Sequence, residues 1–144
     1  MIITDFGLSK DFGLINDLTD NVETYNKSEI GYVEPQCFIN PTYKRDKASD
    51  IYSLGVILWE ISSGRPPSNM NDSYEIARGK REPSIRVSPY DYVRIYQAAW
   101  DNDPRKRPTI TKVREDLEIL YLHLQENERN MQQLQVPPGN IFIY

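Results

Sequence analysis

The apolar positions along this chain fall into stretches of different period. From Ser49 to Gly64, SDIYSLGVILWEISSG, the side chains of Ile51, Leu54, Val56, Ile57, Leu58, Trp59 and Ile61 lie on every side of a helical wheel. A helix that is apolar all round is buried all round, so the stretch predicts the central post of a core. Ser49 and Asp50 suit its N-terminus, and Gly64 suits its C-terminal stop, with Pro66 and Pro67 just beyond. Gly55 inside the run costs about 1 kcal/mol relative to alanine, which makes sense where another backbone passes close by. The run is too short and too interrupted to cross a membrane.

Other stretches show helix periods with clear ends. Asn71-Asp72-Ser73 precedes Tyr74–Arg78 as an N-cap, and Gly79 stops that short helix. Lys80-Arg81-Glu82-Pro83 reads as a solvated, charged loop. Ser88 and Pro89 with Asp91 predict a helix start, Ser88 capping and Pro89 at the first position. Tyr92, Val93, Tyr96, Ala99 and Trp100 form the apolar face of that helix. Ile110, Val113, Leu117, Leu120 and Leu124 then recur three and four residues apart, a heptad seam. It continues through Asn127, Met131 and Leu134, with one polar member. Two readings stay open: an ordinary final helix packed on the lobe, or a partner-binding coiled coil. Val136-Pro137-Pro138-Gly139 ends the run before a short apolar tail, Asn140–Tyr144. At the other end, Ile2-Ile3-Thr4 is a short β-branched run that predicts a strand. From Ile15 to Ile30 the chain is mostly polar without steady period, and reads as a long loop.

Composition narrows the class. At 144 residues the chain is long enough for one core, and 26% charged with 11% aromatic residues marks it as globular. Lys plus Arg number 17 against 21 Asp plus Glu, so the formal charge of -4 speaks against a nucleic-acid binder. One cysteine, Cys37, and one histidine, His123, exclude a disulfide framework and a Cys/His zinc site. No apolar run reaches transmembrane length, and Met1-Ile2-Ile3 running into polar residues predicts no signal peptide. An intracellular, cytoplasmic protein without membrane contact is expected.

Four ordered motifs carry a resemblance. Ile3-Thr4-Asp5-Phe6-Gly7-Leu8-Ser9-Lys10 resembles the D-F-G motif of the protein kinases after its short strand. Tyr32-Val33-Glu34-Pro35-Gln36 stands where that family has Y-V-A-P-E. Lys47 to Gly55, KASDIYSLG, resembles the start of its central helix, and Trp100 to Pro108, WDNDPRKRP, matches W-x-x-D-P-x-x-R-P. The phrase GVILWEISSGRPP is most similar to the tyrosine-kinase-like group of Ser/Thr kinases. Asp11-Phe12-Gly13 repeats the first motif but lacks a strand before it, so Asp5 is favoured.

The resemblance implies a mainly α-helical protein-kinase-like C-terminal lobe, truncated, without the N-terminal lobe or the catalytic loop. Residues 1–126 form the partial kinase domain: 1–34 the D-F-G and activation segment, 35–126 the helical subdomain. Residues 127–144 form a C-terminal extension. In full-length relatives Asp5, Phe6 and Gly7 belong to the ATP and Mg site, with Asp5 the metal ligand. Thr24, Tyr25 and Ser28 occupy the place of activation-loop phosphates. Asp50 matches an Asp that holds the catalytic-loop backbone. Gln36 replaces the A-P-E glutamate, so a weakened anchor between Gln36 and Arg107 is expected. The family's Gly-rich loop, strand lysine and H-R-D loop all precede D-F-G, and only four residues precede Asp5 here. No catalytic base is therefore identified, and the chain alone is expected to bind no nucleotide and to transfer no phosphate. A non-catalytic, kinase-like interaction module is the alternative. In either case the central helix is expected to keep an exposed face for a protein partner or for the missing kinase segments.

Overall fold

The computed structural model describes residues 29–134 of the chain. The order is a 3-10 turn at Ile30–Tyr32, α1 (Gln36–Ile39), α2 (Lys47–Ser63), α3 (Ser73–Ala77), α4 (Tyr90–Ala99), a 3-10 turn at Pro104–Lys106, and α5 (Ile110–Leu134). Among the described residues there is no strand, so the architecture is the expected mainly helical lobe.

Helix α2 is the central post, but it starts two residues before the Ser49 position read from the sequence. Asp46 is its N-cap: the carboxylate accepts from the backbone amides of Ala48 and Ser49. The Ser49 hydroxyl reciprocates by accepting from the Asp46 amide at 3.2 Å, closing a capping box. Ser49 is thus the third helical residue rather than the cap. Gly64 ends the helix in the left-handed region at φ 68°.

Helices α2 and α4 share the main contact. Gly55 lies where they meet: a Cβ there would sit 2.9 Å from Ala99 Cβ and 2.9 Å from the Trp100 nitrogen. The close backbone inferred from Gly55 is therefore the C-terminal end of α4. Tyr52, Val56 and Trp59 of α2 join Tyr96 and Trp100, Met70, Ile76 of α3, and Val113 and Leu120 of α5 in one buried cluster. Tyr92, Tyr96 and Trp100 pack edge to face, with ring centroids 5.9 and 5.0 Å apart. The Tyr92 hydroxyl donates to the Leu58 carbonyl, and Trp59 Nε1 to the Pro83 carbonyl at 2.9 Å.

Two helix readings need adjustment. Helix α4 begins at Tyr90 with Pro89 as its N-cap, and no side chain, Ser88 included, caps it. The proline ring sets the extended turn into the helix, so the backbone does the work expected of the serine. Helix α2 is also not buried all round: Ile57 is 43% and Ile61 69% exposed. The final helix packs on the lobe, as the first of the two open readings has it: Val113 and Leu120 are buried there, while Leu124 is 42% exposed. It runs unbroken across residues 126 and 127, where the partial kinase domain was expected to end and the extension to begin.

Replacing Gly55 with alanine tests the helix crossing. The substitution gains about 1 kcal/mol of helix propensity. Overpacking against Ala99 and Trp100 costs about 1–3 kcal/mol, so Gly55→Ala is expected to melt below the parent in a thermal scan. A higher melting temperature would show that α2 and α4 have slack where they cross.

Candidate functional site

The chemistry of the described residues concentrates around one buried guanidinium. Arg107 follows the Pro104–Lys106 turn, and its side chain is fully enclosed, as is that of Glu34. Arg107 Nη1 donates to Glu34 Oε2, and Nη2 donates to Glu34 Oε1 at 3.0 Å, a two-pronged ion pair. Nη1 also reaches the Ala48 carbonyl at 2.8 Å, and Nε the Asp101 carbonyl at 2.7 Å. Glu34 Oε1 additionally accepts from the backbone amide of Gln36 at 3.0 Å, at the start of α1. The pair thus ties together the segment before α1, the first turn of α2 and the loop after α4. Each charge is offset by its partner, and the polar atoms around the pair are used.

The Tyr52 ring extends the arrangement. Arg107 and Arg81 both stack over it, 5.1 and 5.0 Å from its centroid. Burial pushes the Tyr52 hydroxyl up to about 12, although both guanidinium charges pull it down. Burial lowers Arg81 from its ordinary value. Its Nε donates to the Trp100 carbonyl at 3.0 Å and its Nη2 to Asn102 Oδ1 at 3.2 Å. Gln36 Nε2 donates to the Asn102 carbonyl at 3.2 Å. Three successive carbonyls, of Trp100, Asp101 and Asn102, are therefore each taken by a side chain from a different segment.

The strands of this arrangement reach back to the residues before α1. The Tyr52 hydroxyl donates to the Gly31 carbonyl, and the Ser53 hydroxyl to the Tyr32 carbonyl at 2.7 Å. The Tyr32 hydroxyl donates to Glu60 Oε2 at 2.7 Å; burial, together with that bond, raises its pKa. The end of the segment before α1 is thus fastened along one side of α2.

Several sequence readings change here. The expected Gln36–Arg107 anchor does not form: Arg107 pairs with Glu34, two residues upstream. The physical reason is charge, since a buried guanidinium demands an anion and Glu34 supplies the carboxylate that Gln36 lacks. Glu34 could have been found as the acidic residue of the motif itself. Asp50 lies in the first turn of α2 and is exposed. The Lys80–Pro83 loop is a solvated face only in part, at Lys80 and Pro83. Glu82 is buried and accepts from the amides of Ser68 and Asn69 and from Arg65 Nη2 at 3.4 Å, while Arg81 turns inward. Charged residues in such a run point inward when each finds partners, which composition does not reveal. Asp5, Phe6, Gly7, Thr24, Tyr25 and Ser28 lie outside the described residues.

Beside the anchor an open cleft of about 630 Å³ is lined by Gln36, Tyr43, Asp46 and residues 101–106. Within it Arg105 holds the Asp103 carboxylate down to about 2 through a two-pronged contact. Among the described residues no group of three or more His, Cys, Asp or Glu side chains could hold a metal ion. No helix of them is long and apolar enough to cross a membrane.

Comparison with known proteins places the sequence in a family. A family model for protein tyrosine and serine/threonine kinases matches residues 1–117. This chain belongs to the protein kinase family. A probable LIM domain-containing serine/threonine-protein kinase of Dictyostelium discoideum is 29% identical over 88% of the chain. Mitogen-activated protein kinase kinase kinase 10 of Xenopus laevis is 32% identical over 80% of it. The Danio rerio mast/stem cell growth factor receptor kita is 31% identical over 81%. The chain spans 19%, 11% and 12% of these relatives, so it corresponds to a fragment of the length of each kinase.

The corrected anchor separates two substitutions. Glu34→Gln leaves Arg107 buried without an anion and is expected to destabilise the lobe by about 3–5 kcal/mol. Gln36→Glu is expected to lower the melting temperature as well, because a carboxylate cannot donate to the Asn102 carbonyl and adds charge beside Glu34. A Gln36→Glu chain melting above the parent would show that Arg107 prefers the position downstream of Pro35.

Proposed function

We propose that this chain is the C-terminal-lobe part of a protein kinase domain whose whole form transfers the γ-phosphate of ATP to serine or threonine hydroxyls. The observation that carries this reading is the Arg107–Glu34 pair, which fastens the end of the activation segment to the helical lobe. The family match over residues 1–117 supports it. Asp5 is proposed as the Mg ligand, with Phe6 and Gly7 beside it, because a carboxylate offers the hard oxygen that Mg²⁺ prefers. In the whole kinase that ion neutralises charge on the phosphates. Thr24, Tyr25 and Ser28 are the proposed phosphate acceptors of the activation segment. An intracellular, cytoplasmic setting suits this role.

Taken by itself the chain is proposed to be inactive. Its one histidine, His123, is followed by Leu124 and Gln125, so the 144 residues hold no H-R-D base. Positioning and electrostatic stabilisation supply nearly all of the catalysis in phosphoryl transfer, and Asp5 alone provides neither the base nor the nucleotide cradle. The stripe of Leu54, Ile57 and Ile61 on α2 is proposed to take the remaining kinase segments. Its spacing of three and four residues matches one helix face, and Ile57 and Ile61 face water. A non-catalytic interaction module is the second reading. The closed cluster of Tyr52, Trp59, Tyr96 and Trp100 favours it, since the lobe has a core of its own.

A phosphotransfer assay with labelled ATP and a general protein acceptor tests the first reading. The purified chain is expected to give no transfer and no measurable MgATP affinity. Transfer that survives purification to homogeneity and vanishes in Asp5→Ala would overturn it.

A further inference from the structure

Helices α1 and α3 leave a groove of about 410 Å³ between them, lined by Phe38, Ile39, Ser73, Tyr74, Ala77 and Arg78. Its walls are largely apolar and open to water: Ile39 is 54% and Tyr74 66% exposed. One cation stands at its rim. The Arg78 guanidinium lies 5.4 Å over the Tyr74 ring and donates to the Tyr74 hydroxyl at 2.8 Å. The two acids nearest to it in α3 are used elsewhere: Glu75 pairs with Lys80, and Asp72 caps the helix. The groove therefore offers apolar surface beside a positive charge that no carboxylate among the described residues meets.

We propose that this groove is the seat of residues 14–23 of the same chain, a stretch that lies outside the described residues. Its chemistry singles it out first. Leu14, Ile15, Leu18 and Val22 are apolar, and Asp17, Asp20 and Glu23 stand among them. No lysine or arginine occurs from Asp11 to Asn26. An apolar stretch that carries only acids complements an apolar groove with a cationic rim.

The place where the stretch is tied decides for the chain's own residues. The Tyr52 hydroxyl donates to the Gly31 carbonyl at 3.2 Å, and a Cβ on Gly31 would stand 3.0 Å from the Met70 carbonyl oxygen. Gly31 is thus held beside Met70, which precedes Ser73 of the groove wall by three positions. Three positions span at most about 11 Å, whereas the nine from Val22 to Gly31 span up to about 30 Å, so the stretch reaches the groove with length to spare. A link this short keeps it at an effective concentration on the order of millimolar, and a shallow groove then suffices to hold it. A free peptide of the same composition, or the stretch of a second copy in dilute solution, lacks that advantage. The seating uses no residue of the Arg107 anchor or of the D-F-G segment, so it stands apart from the kinase reading. It places Thr24, Tyr25 and Ser28 in the link between the groove and Gly31.

Thiol labelling of the full chain tests the proposal. A Cys37→Ser background carries Leu18→Cys, and its reaction with a soluble thiol reagent is timed with the groove intact and altered. Ile39→Glu replaces apolar surface with a repelling charge, and Arg78→Glu reverses the charge of the rim. Both positions are exposed, so the fluorescence melt of Trp59 and Trp100 is expected to stay unchanged. Each variant is expected to speed labelling about tenfold, as when a tethered contact of modest strength is opened. The rate with the intact groove is expected not to depend on protein concentration. If Ile39→Glu lowers the melt, Arg78→Glu alone decides. Labelling that a correctly folded groove variant leaves unchanged would overturn the proposal. So would labelling that slows as concentration rises, because the stretch would then sit in the groove of a second copy.

Discussion

The burial of one positive charge governs this lobe. Arg107 sits where three segments meet, with no water to solvate it, so each segment must bring something to its guanidinium. The residues before α1 bring the Glu34 carboxylate, α2 brings the Ala48 carbonyl and the Tyr52 ring, and the loop after α4 brings the Asp101 carbonyl. Removing any one leaves a buried charge short of partners, which is why such a group orders its surroundings more strictly than an apolar side chain of equal size. The carbonyls on either side of Asp101 are held in the same manner, by Arg81 and Gln36. The result is a junction in which the residues before α1, the first turn of α2 and the loop after α4 are held to one another by enclosed polar contacts.

How much of this was legible in the sequence depends on the kind of interaction. Apolar periodicity revealed α2, the core face of α4 and the seam of α5, because burial of apolar area follows period alone. The penalty of a mid-helix glycine at Gly55 revealed the close approach of α4. Local polar signals located the start of α3 within the Asn71-Asp72-Ser73 run, where Asp72 is the cap and its carboxylate accepts from the Tyr74 and Glu75 amides. They misled at the start of α2. Ser49 and Asp46 are both capping residues, and only the backbone geometry shows that they cap reciprocally. The anchor failed for the same reason. Motif alignment placed the partner of Arg107 at Gln36, whereas the carboxylate that meets it projects from the residue before Pro35. Side chains reach across a proline turn in a way that residue numbering conceals. The Arg81–Glu82 pair shows the opposite limit: two charges side by side look solvated until their partners, far along the chain, come into place.

Among the described residues, α2 and α5 each keep apolar side chains outside the core. The stripe on α2 lies on the central post, where Ile57 and Ile61 interrupt an otherwise enclosed helix. The stripe on α5 lies beyond Leu120, where Leu124 and Met131 are exposed. Both follow from the same rule, that apolar side chains at helical spacing require a cover.

A double-mutant cycle on Glu34 and Arg107 tests the central claim most directly. Glu34→Gln, Arg107→Met and the two together are compared with the parent by denaturant unfolding. If the pair is the constraint on which the junction depends, the double variant loses much less stability than the two single losses added, with a coupling of about 2–3 kcal/mol. Losses that add to within about 0.5 kcal/mol would contradict the account, because they would show that the two charges do not depend on each other.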